Sequence, residues 1–316
     1  MKLDSLIDGG LKEIGPRFSL VGLLPSLTLF AVITALLASG APETAPSLSR
    51  LLAASKEPGG GDIFLLAAGL LSLSLIVQPL QLSLVRFLEG YWGDSPGARE
   101  LARQAIERHQ GRRAALVKAL SVEGDAYPDA ITLGRMQSSA AALLKRYPDA
   151  DRLMPTALGN ALRSAEDRPQ RAYGLDGVVM WPRLFPLLPD SMRSLLDDAR
   201  NQMDMSLRFA VVFVLVAVAC AALLWRHPPW PALSFIALLL AWLSYRAGVE
   251  AAIAYGQTVE VAFDLYRFSL YPALHLAPPA DPDGERKLNG EMSAFLRQGS
   301  PPGYAYTHPA PSKAGP

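Results

Sequence analysis

The chain has 316 residues, of which 50% are hydrophobic and 19% are charged, and its net charge is +1. This balance and its long uncharged runs are typical of a membrane protein, and such a charge gives no attraction for nucleic acid. One cysteine and four scattered histidines provide neither a disulfide framework nor a familiar zinc motif, so the sequence predicts no metal site and no cofactor.

The amino-terminal part predicts a first transmembrane hairpin over residues 18–85. Residues 1–17 are read as a cytoplasmic segment, and the apolar stretch 18–38 is as long as the ~20 residues that a membrane-spanning helix needs. A linker rich in small residues, proline and glycine follows, and a second apolar stretch runs over 63–85. We expect both stretches to span the membrane, and we expect the first to be a retained span and not a cleaved leader.

The second predicted span carries a polar stripe whose members are Ser74, Gln78 and Gln81, at gaps of 4 and 3. Amide side chains in hydrocarbon need hydrogen-bond partners, so this stripe should face other helices or a water-filled path. Two interpretations stay open, namely the lining of a permeation pathway and an interhelical network that serves packing. Arg86 and Glu89 come directly after the span, so in either interpretation they would continue the polar stripe toward the cytoplasm.

A long polar insert, residues 86–207, separates the two predicted hairpins. It opens with a basic run: Arg99, Arg103, Arg108, Arg112 and Arg113. Such a run directly after a span marks the cytoplasmic side of a membrane. The sequence therefore predicts a protein of the inner, plasma membrane with both termini in the cytoplasm.

The insert has helical periodicity and almost no strand pattern. Ser95 followed by proline predicts a helix start, with Gly111 as a break, and 129–146 has helical apolar spacing. A further short helix opens at Thr156 and is expected to end before Pro169. The segment 171–190 has too many helix breakers for a long helix, so we expect it to fold against the insert or the membrane interface.

The second predicted transmembrane hairpin, 208–246, consists of spans 209–225 and 230–246. A cytoplasmic helical extension is predicted over 247–298, and a disordered tail rich in proline and glycine over 299–316. Since no proline lies between Pro231 and Pro272, the last span and the first part of the extension read as one helix of roughly 60 Å, about twice the hydrocarbon core.

That helix has two distinct faces. One is polar, with Arg246, Glu250, Gln257, Glu260 and Asp264, followed by Arg267. The first two could form a charged inner vestibule with the residues of span two, or an interfacial pair that snorkels to headgroups. The opposite face is small, with Gly248, Ala252 and Gly256, and would pack against the third span or against a second copy of the chain. A homo-oligomer is therefore expected.

Three stretches, PTALGNALRSAED, YGLDGVVMWPRL and AYGQTVEVAFDLYRFSLYPAL, resemble a family of uncharacterised bacterial multi-pass membrane proteins. The resemblance implies membrane location and carries no activity. In topology alone the chain is similar to bestrophin-type anion channels, although their pore-neck sequence is not evident in 63–85.

The sequence thus predicts an all-α protein, a four-span transmembrane bundle with a helical cytoplasmic domain. Its expected function is that of a non-enzymatic scaffold or sensor, with the lipid bilayer, a second copy and a cytoplasmic protein as partners. The alternative is an oligomeric channel lined by span two, and the third candidate is a membrane-associated enzyme with a site assembled from distant residues.

Overall fold

A computed structural model describes residues 20–54, 69, 83–120, 129–299 and 303–308. Every regular element in these ranges is helical, and no strand occurs among them. The helices are α1 (Leu20–Ala38), α2 (Leu48–Ala54), α3 (Pro96–Lys118), α4 (Ala130–Arg146), α5 (Ala157–Tyr173), α6 (Gly177–Leu184), α7 (Asp190–Leu224), α8 (Leu233–Tyr266), α9 (Leu270–Ala273) and α10 (Pro282–Gln298). The all-α prediction is confirmed for this part of the chain.

The chain divides into two compact units. Unit 1 comprises Met1–Phe87 and Asn201–Glu250, and unit 2 comprises Leu88–Arg200 and Ala251–Pro316. Helices α7 and α8 each contribute residues to both units.

Two helical stretches, Asp190–Leu224 and Trp230–Ala273, are long and apolar enough to cross a membrane, and the apolar part of α1, Leu24–Ala38, is shorter. Two helices of the described residues therefore qualify as spans, and the four-span bundle stays a prediction. Most of the predicted span 63–85, with Ser74, Gln78 and Gln81, lies outside the described residues.

Unit 1 has a core of small and aliphatic side chains from α1, α7 and α8. Its buried members include Leu29, Val212, Val216, Cys220, Leu224 and Ala237. The end of α1 and the α7–α8 turn lie at the same end of this unit, since the His227 Nε2 atom is 2.8 Å from the Pro42 carbonyl oxygen. Because α1 and α7 both end there, they run in the same direction.

Unit 2 has the larger core, which joins α5 and α6 with parts of α7, α8, α9 and α10. Its buried members include Leu175, Met180, Leu184, Leu188, Phe263, Leu270, Tyr271 and Met292. Four of them come from the segment 171–190, so this segment packs against α7 of the insert, as expected, and also against the extension helices α8, α9 and α10. Its short helix α6 is followed by a 3-10 turn over Phe185–Leu187, and this arrangement accommodates the prolines.

Several helices of unit 2 begin at capping side chains that can be recognised in the sequence. The side chains of Ser95, Asp129 and Thr156 each accept a hydrogen bond from the backbone N–H three residues on, and so cap α3, α4 and α5. Asp176 and Asp281 cap α6 and α10 in the same way. The caps confirm the predicted starts at the first three positions.

Two predicted helix ends were wrong. Gly111 does not break α3, which is continuous from Pro96 to Lys118, because one exposed glycine costs a helix only about 1 kcal/mol. Helix α5 also continues through Pro169 and ends at Gly174, which has the left-handed φ of 73°. Pro169 is buried in the packed unit, and this packing offsets the loss of one backbone hydrogen bond.

Within the predicted disordered tail 299–316, the structure describes residues 303–308 in contact with the rest of unit 2. Tyr304 packs against the core of unit 2, and the Thr307 backbone N–H donates to the His275 carbonyl oxygen at 2.7 Å. Partial burial of the Tyr304 ring and the Thr307 hydrogen bond both favour this position of the segment.

Candidate functional site

The polar face of α8 divides between the two units. In unit 1, Arg246 and Glu250 are exposed, and the Arg246 guanidinium lies 5.7 Å from the centre of the Trp242 ring. In unit 2, Gln257 is half-buried, whereas Glu260 and Asp264 pair with groups on other helices. Arg86 is exposed and Glu89 half-buried, on a helical stretch over 83–89.

The small face of α8 is occupied within the chain. A Cβ atom at Gly248 would lie 2.6 Å from Leu207 Cδ2 of α7, and one at Gly256 would lie 2.7 Å from Ala165 Cβ of α5. Ala252 is fully buried. The α7 contact is one of the two partners expected for this face, and a homo-oligomer draws no support from it.

The main site of convergent polar groups in unit 2, here called the polar cluster, gathers side chains from α5, from α8 and the turn that follows it, and from α9 and α10. Its members are Arg168, Tyr173, Glu260, Asp264, Arg267, Tyr271, Glu285 and Asn289. Helix α5 contributes through Arg168, which forms an ion pair with Glu260, and through the Tyr173 hydroxyl, which donates to Asp264 Oδ1 at 2.6 Å.

Arg267 lies at the centre of the polar cluster. Its Nε donates to Glu285 Oε1 at 2.7 Å, and its Nη1 donates to the Asp264 carbonyl oxygen at 2.6 Å. The guanidinium carbon also lies 3.9 Å from the centre of the Tyr173 ring. Since the Arg267 and Glu285 side chains are only 14% and 10% exposed, this is a buried ion pair whose charges depend on each other.

A buried hydrogen-bonded pair extends the polar cluster into the core. The Tyr271 hydroxyl donates to Asn289 Oδ1 at 2.9 Å, and Asn289 Nδ2 donates to the Tyr173 carbonyl oxygen at 2.8 Å. Burial, followed by the nearby Glu285 carboxylate, raises the pKa of Tyr271 to about 12. Burial and the hydrogen bond to Asp264 likewise raise the pKa of Tyr173, so both phenols stay neutral donors near pH 7.

Other charges of unit 2 are paired as well. Arg152 forms an ion pair with the buried Asp167, and Arg297 forms one with Asp176, whose backbone N–H donates to Ser293 Oγ at 3.1 Å. The Arg297 and Ser293 contacts of Asp176 tie α6 to α10.

An open groove of about 400 Å³ lies beside the first turns of α3. Its lining includes Trp92, Arg99, Arg103 and Glu107. Arg103 pairs with both Glu100 and Glu107, and its hydrogen bond lowers the pKa of Glu100 to about 2. The lining charges therefore neutralise one another.

Chemically, the polar cluster holds helices together. Its donors and acceptors meet each other across four helices, α5, α8, α9 and α10, and the turn after α8. The described residues contain no group of three or more His, Cys, Asp or Glu side chains that could hold a metal ion.

Glu260, Asp264 and Arg267 of the polar cluster belong to the polar face predicted from the sequence, whereas the partners of these residues on other helices were not predicted. Arg168 and Tyr173 are separated from Glu260 and Asp264 by about ninety positions, and no spacing rule covers such a distance. The one available signal was the polar stripe itself, since charges on a long helix need partners.

Comparison with known protein families, with curated proteins and with solved structures finds no match for this chain. The resemblance to a bacterial membrane family therefore stays a prediction.

Proposed function

We propose that the chain is a non-enzymatic integral protein of the inner membrane, a scaffold or sensor whose unit 1 lies in lipid and whose unit 2 is a cytoplasmic domain that binds a protein partner. The observation that carries the proposal is an exposed apolar band on α8. Its members, all between 39% and 75% exposed, are Phe235, Ile236, Leu238, Leu239, Leu240, Trp242 and Leu243.

A soluble protein rarely exposes so many adjacent large apolar side chains, because each loses the free energy of burial. In lipid the same side chains are matched to their surroundings. Two features at the edges of the band fit the headgroup region. Trp230 precedes it near the α7–α8 turn, and Arg246 follows it.

The direction of the helices supports additional crossings. Because α1 and α7 run the same way in unit 1, the chain has to return between them. Gly69 packs against α1, since a Cβ atom there would lie 2.9 Å from Phe30 Cε2. Phe30 is eight residues before the end of α1 and Gly69 six residues after the predicted start of span two, which is close to the register of an antiparallel hairpin.

A binding role is favoured over catalysis because the polar cluster is satisfied internally. Unit 2 also exposes an apolar row over the end of α8 and the turn that follows it, formed by Val261, Leu265 and Phe268. Exposed apolar surface of this kind is typical of protein–protein contact.

The test compares two exposed leucines of the same helix, Leu239 in unit 1 and Leu265 in unit 2, which are 54% and 64% exposed. Arginine at the centre of a membrane helix costs about 2.5–3.5 kcal/mol on insertion scales. We expect Leu239→Arg to lower the alkali-resistant membrane fraction strongly and Leu265→Arg to leave it unchanged. Equal membrane fractions for Leu239→Arg and the wild type would reject lipid exposure of the band.

A further inference from the structure

The structure brings together two of the four histidines that the sequence leaves scattered. The rings of His275 and His308 have centres 5.3 Å apart and planes tilted by 46°. Both side chains are exposed, so a small ion can reach them from solvent. The other two histidines are engaged elsewhere, His109 beside Tyr147 and His227 beside the Pro42 carbonyl oxygen.

The backbone around these two rings is held in one arrangement. His275 has a φ of 56°, a left-handed conformation that few residues other than glycine adopt. Its carbonyl oxygen accepts hydrogen bonds from both the backbone N–H and the hydroxyl of Thr307, at 2.7 and 3.3 Å. Thr307 directly precedes His308, and the half-buried Tyr304 packs against the core of unit 2. The same contacts that maintain the strain at His275 therefore place the second ring.

The separation of the rings suits coordination of one metal ion. With a metal–nitrogen distance of ~2.0–2.1 Å and ~1.1 Å from ring nitrogen to ring centre, two imidazoles on a tetrahedral ion have centres about 5 Å apart. The observed 5.3 Å is close to this value. Among the described residues neither imidazole has a hydrogen-bond partner, so their nitrogens are available as ligands.

We propose that His275 and His308 form a binding site for a divalent transition-metal ion of the zinc class, which fastens residues 303–308 to the turn after α9. Imidazole suits zinc, nickel and copper, whereas magnesium and calcium prefer oxygen ligands. Water completes the coordination of a two-histidine site. Because the metal ion would bind both histidines at once, it would bind more tightly when residues 303–308 are docked beside His275. By thermodynamic reciprocity, the bound metal would stabilise that docked position.

The experiment uses the full-length protein in detergent without a polyhistidine tag, titrated with zinc chloride by calorimetry. We expect one zinc ion per chain, and an affinity lower by about tenfold or more for His308→Gln and for His275→Asn, where asparagine tolerates the left-handed conformation. His227→Gln, which removes a histidine of unit 1, is the matched control and should bind as the wild type does. Magnesium should not bind.

A second measurement separates ligation from simple surface binding. Chymotrypsin cleaves after tyrosine, and Tyr304 and Tyr306 lie in the docked segment. Zinc should slow cleavage there in the wild type and have no effect in His308→Gln. Thr307→Val keeps both imidazoles but removes one of the bonds that position them, so it should bind zinc with intermediate affinity. The proposal is overturned by zinc affinity that survives the double variant His275→Asn/His308→Gln, or by cleavage that zinc does not slow in the wild type.

Discussion

Alanine substitution of two helical glycines should change stability in opposite directions. Gly159 lies in the first turn of α5 and Gly111 in the middle of α3. Helix propensity alone predicts that alanine stabilises either helix by about 1 kcal/mol. Their surroundings differ, because a Cβ atom at Gly159 would lie 2.1 Å from the Glu89 carbonyl oxygen, whereas one at Gly111 would meet nothing within 4 Å.

The magnitude follows from the displacement that the contact requires. Ordinary contact begins near 3.4 Å, so the Glu89 carbonyl oxygen would have to move by 3.4 − 2.1 = 1.3 Å. Since that oxygen belongs to the backbone, it cannot escape by rotating a side chain. Overpacking of this kind costs about 3 kcal/mol at the upper end of its range, and the gain in propensity offsets about 1 kcal/mol. We therefore expect Gly159→Ala to destabilise unit 2 by about 2 kcal/mol.

Thermal unfolding of the purified protein in detergent, followed by circular dichroism, measures both effects. For a unit of this size, 1 kcal/mol shifts the melting temperature by roughly 2–4 °C. Gly159→Ala should lower it by roughly 4–8 °C, and Gly111→Ala should raise it by roughly 2–4 °C. A Gly159→Ala protein as stable as the wild type, measured beside a stabilised Gly111→Ala protein, would refute the close approach of α5 to the Glu89 backbone.

Three further outcomes are expected. Glu285→Gln leaves the buried Arg267 unpaired and should destabilise unit 2 by about 3–5 kcal/mol, whereas Asp94→Asn, at an exposed ion pair, should change unfolding by less than about 0.5 kcal/mol. The pKa of Tyr271 is about 12 in the folded protein and near 10 in the unfolded chain, so the unfolded chain loses the phenol proton first. The free energy of unfolding should therefore fall as pH rises from 10 to 12. Chemical denaturation of Tyr271→Phe over this range should show a smaller fall. In a Cys220→Ala background, the single-cysteine variants Gln110→Cys and Lys287→Cys should react with a membrane-impermeant maleimide from the cytoplasmic side. Glu43→Cys should react from the opposite side. Labelling of Gln110→Cys and Lys287→Cys from different sides would contradict the proposed topology.

Helix starts could be predicted from the sequence because their causes are local. Ser95, Asp129 and Thr156 each cap their own helix within three residues, so a short window contains the donor and the acceptor. Helix ends were less predictable. Whether α5 stops at Pro169 depends on the burial of that residue by other parts of unit 2. The residues next to Pro169 in sequence do not reveal this burial.

The polar cluster shows the same limit at longer range. Periodicity places Glu260 and Asp264 on one face of α8 but does not identify Arg168 and Tyr173 as their partners. The spacing along one helix shows which side chains share a face, and it does not show which other helix packs against that face. The pair His275 and His308 was missed for a related reason. A zinc motif is recognised by its spacing, whereas these two residues are far apart in sequence and meet where Thr307 binds the His275 carbonyl oxygen and Tyr304 packs against the core of unit 2.

The internal pairing of the α8 charges also determines what its remaining surface can recognise. Glu260 is committed to Arg168, and Asp264 to Tyr173, so the polar stripe that the sequence displays is largely used within unit 2. The row that stays exposed at the end of α8 and in the turn that follows it is apolar, formed by Val261, Leu265 and Phe268. Apolar contact is little screened by salt, in contrast to steering by exposed charges. A partner that binds this row of unit 2 would therefore be selected by the shape of its apolar surface and would stay bound at high ionic strength.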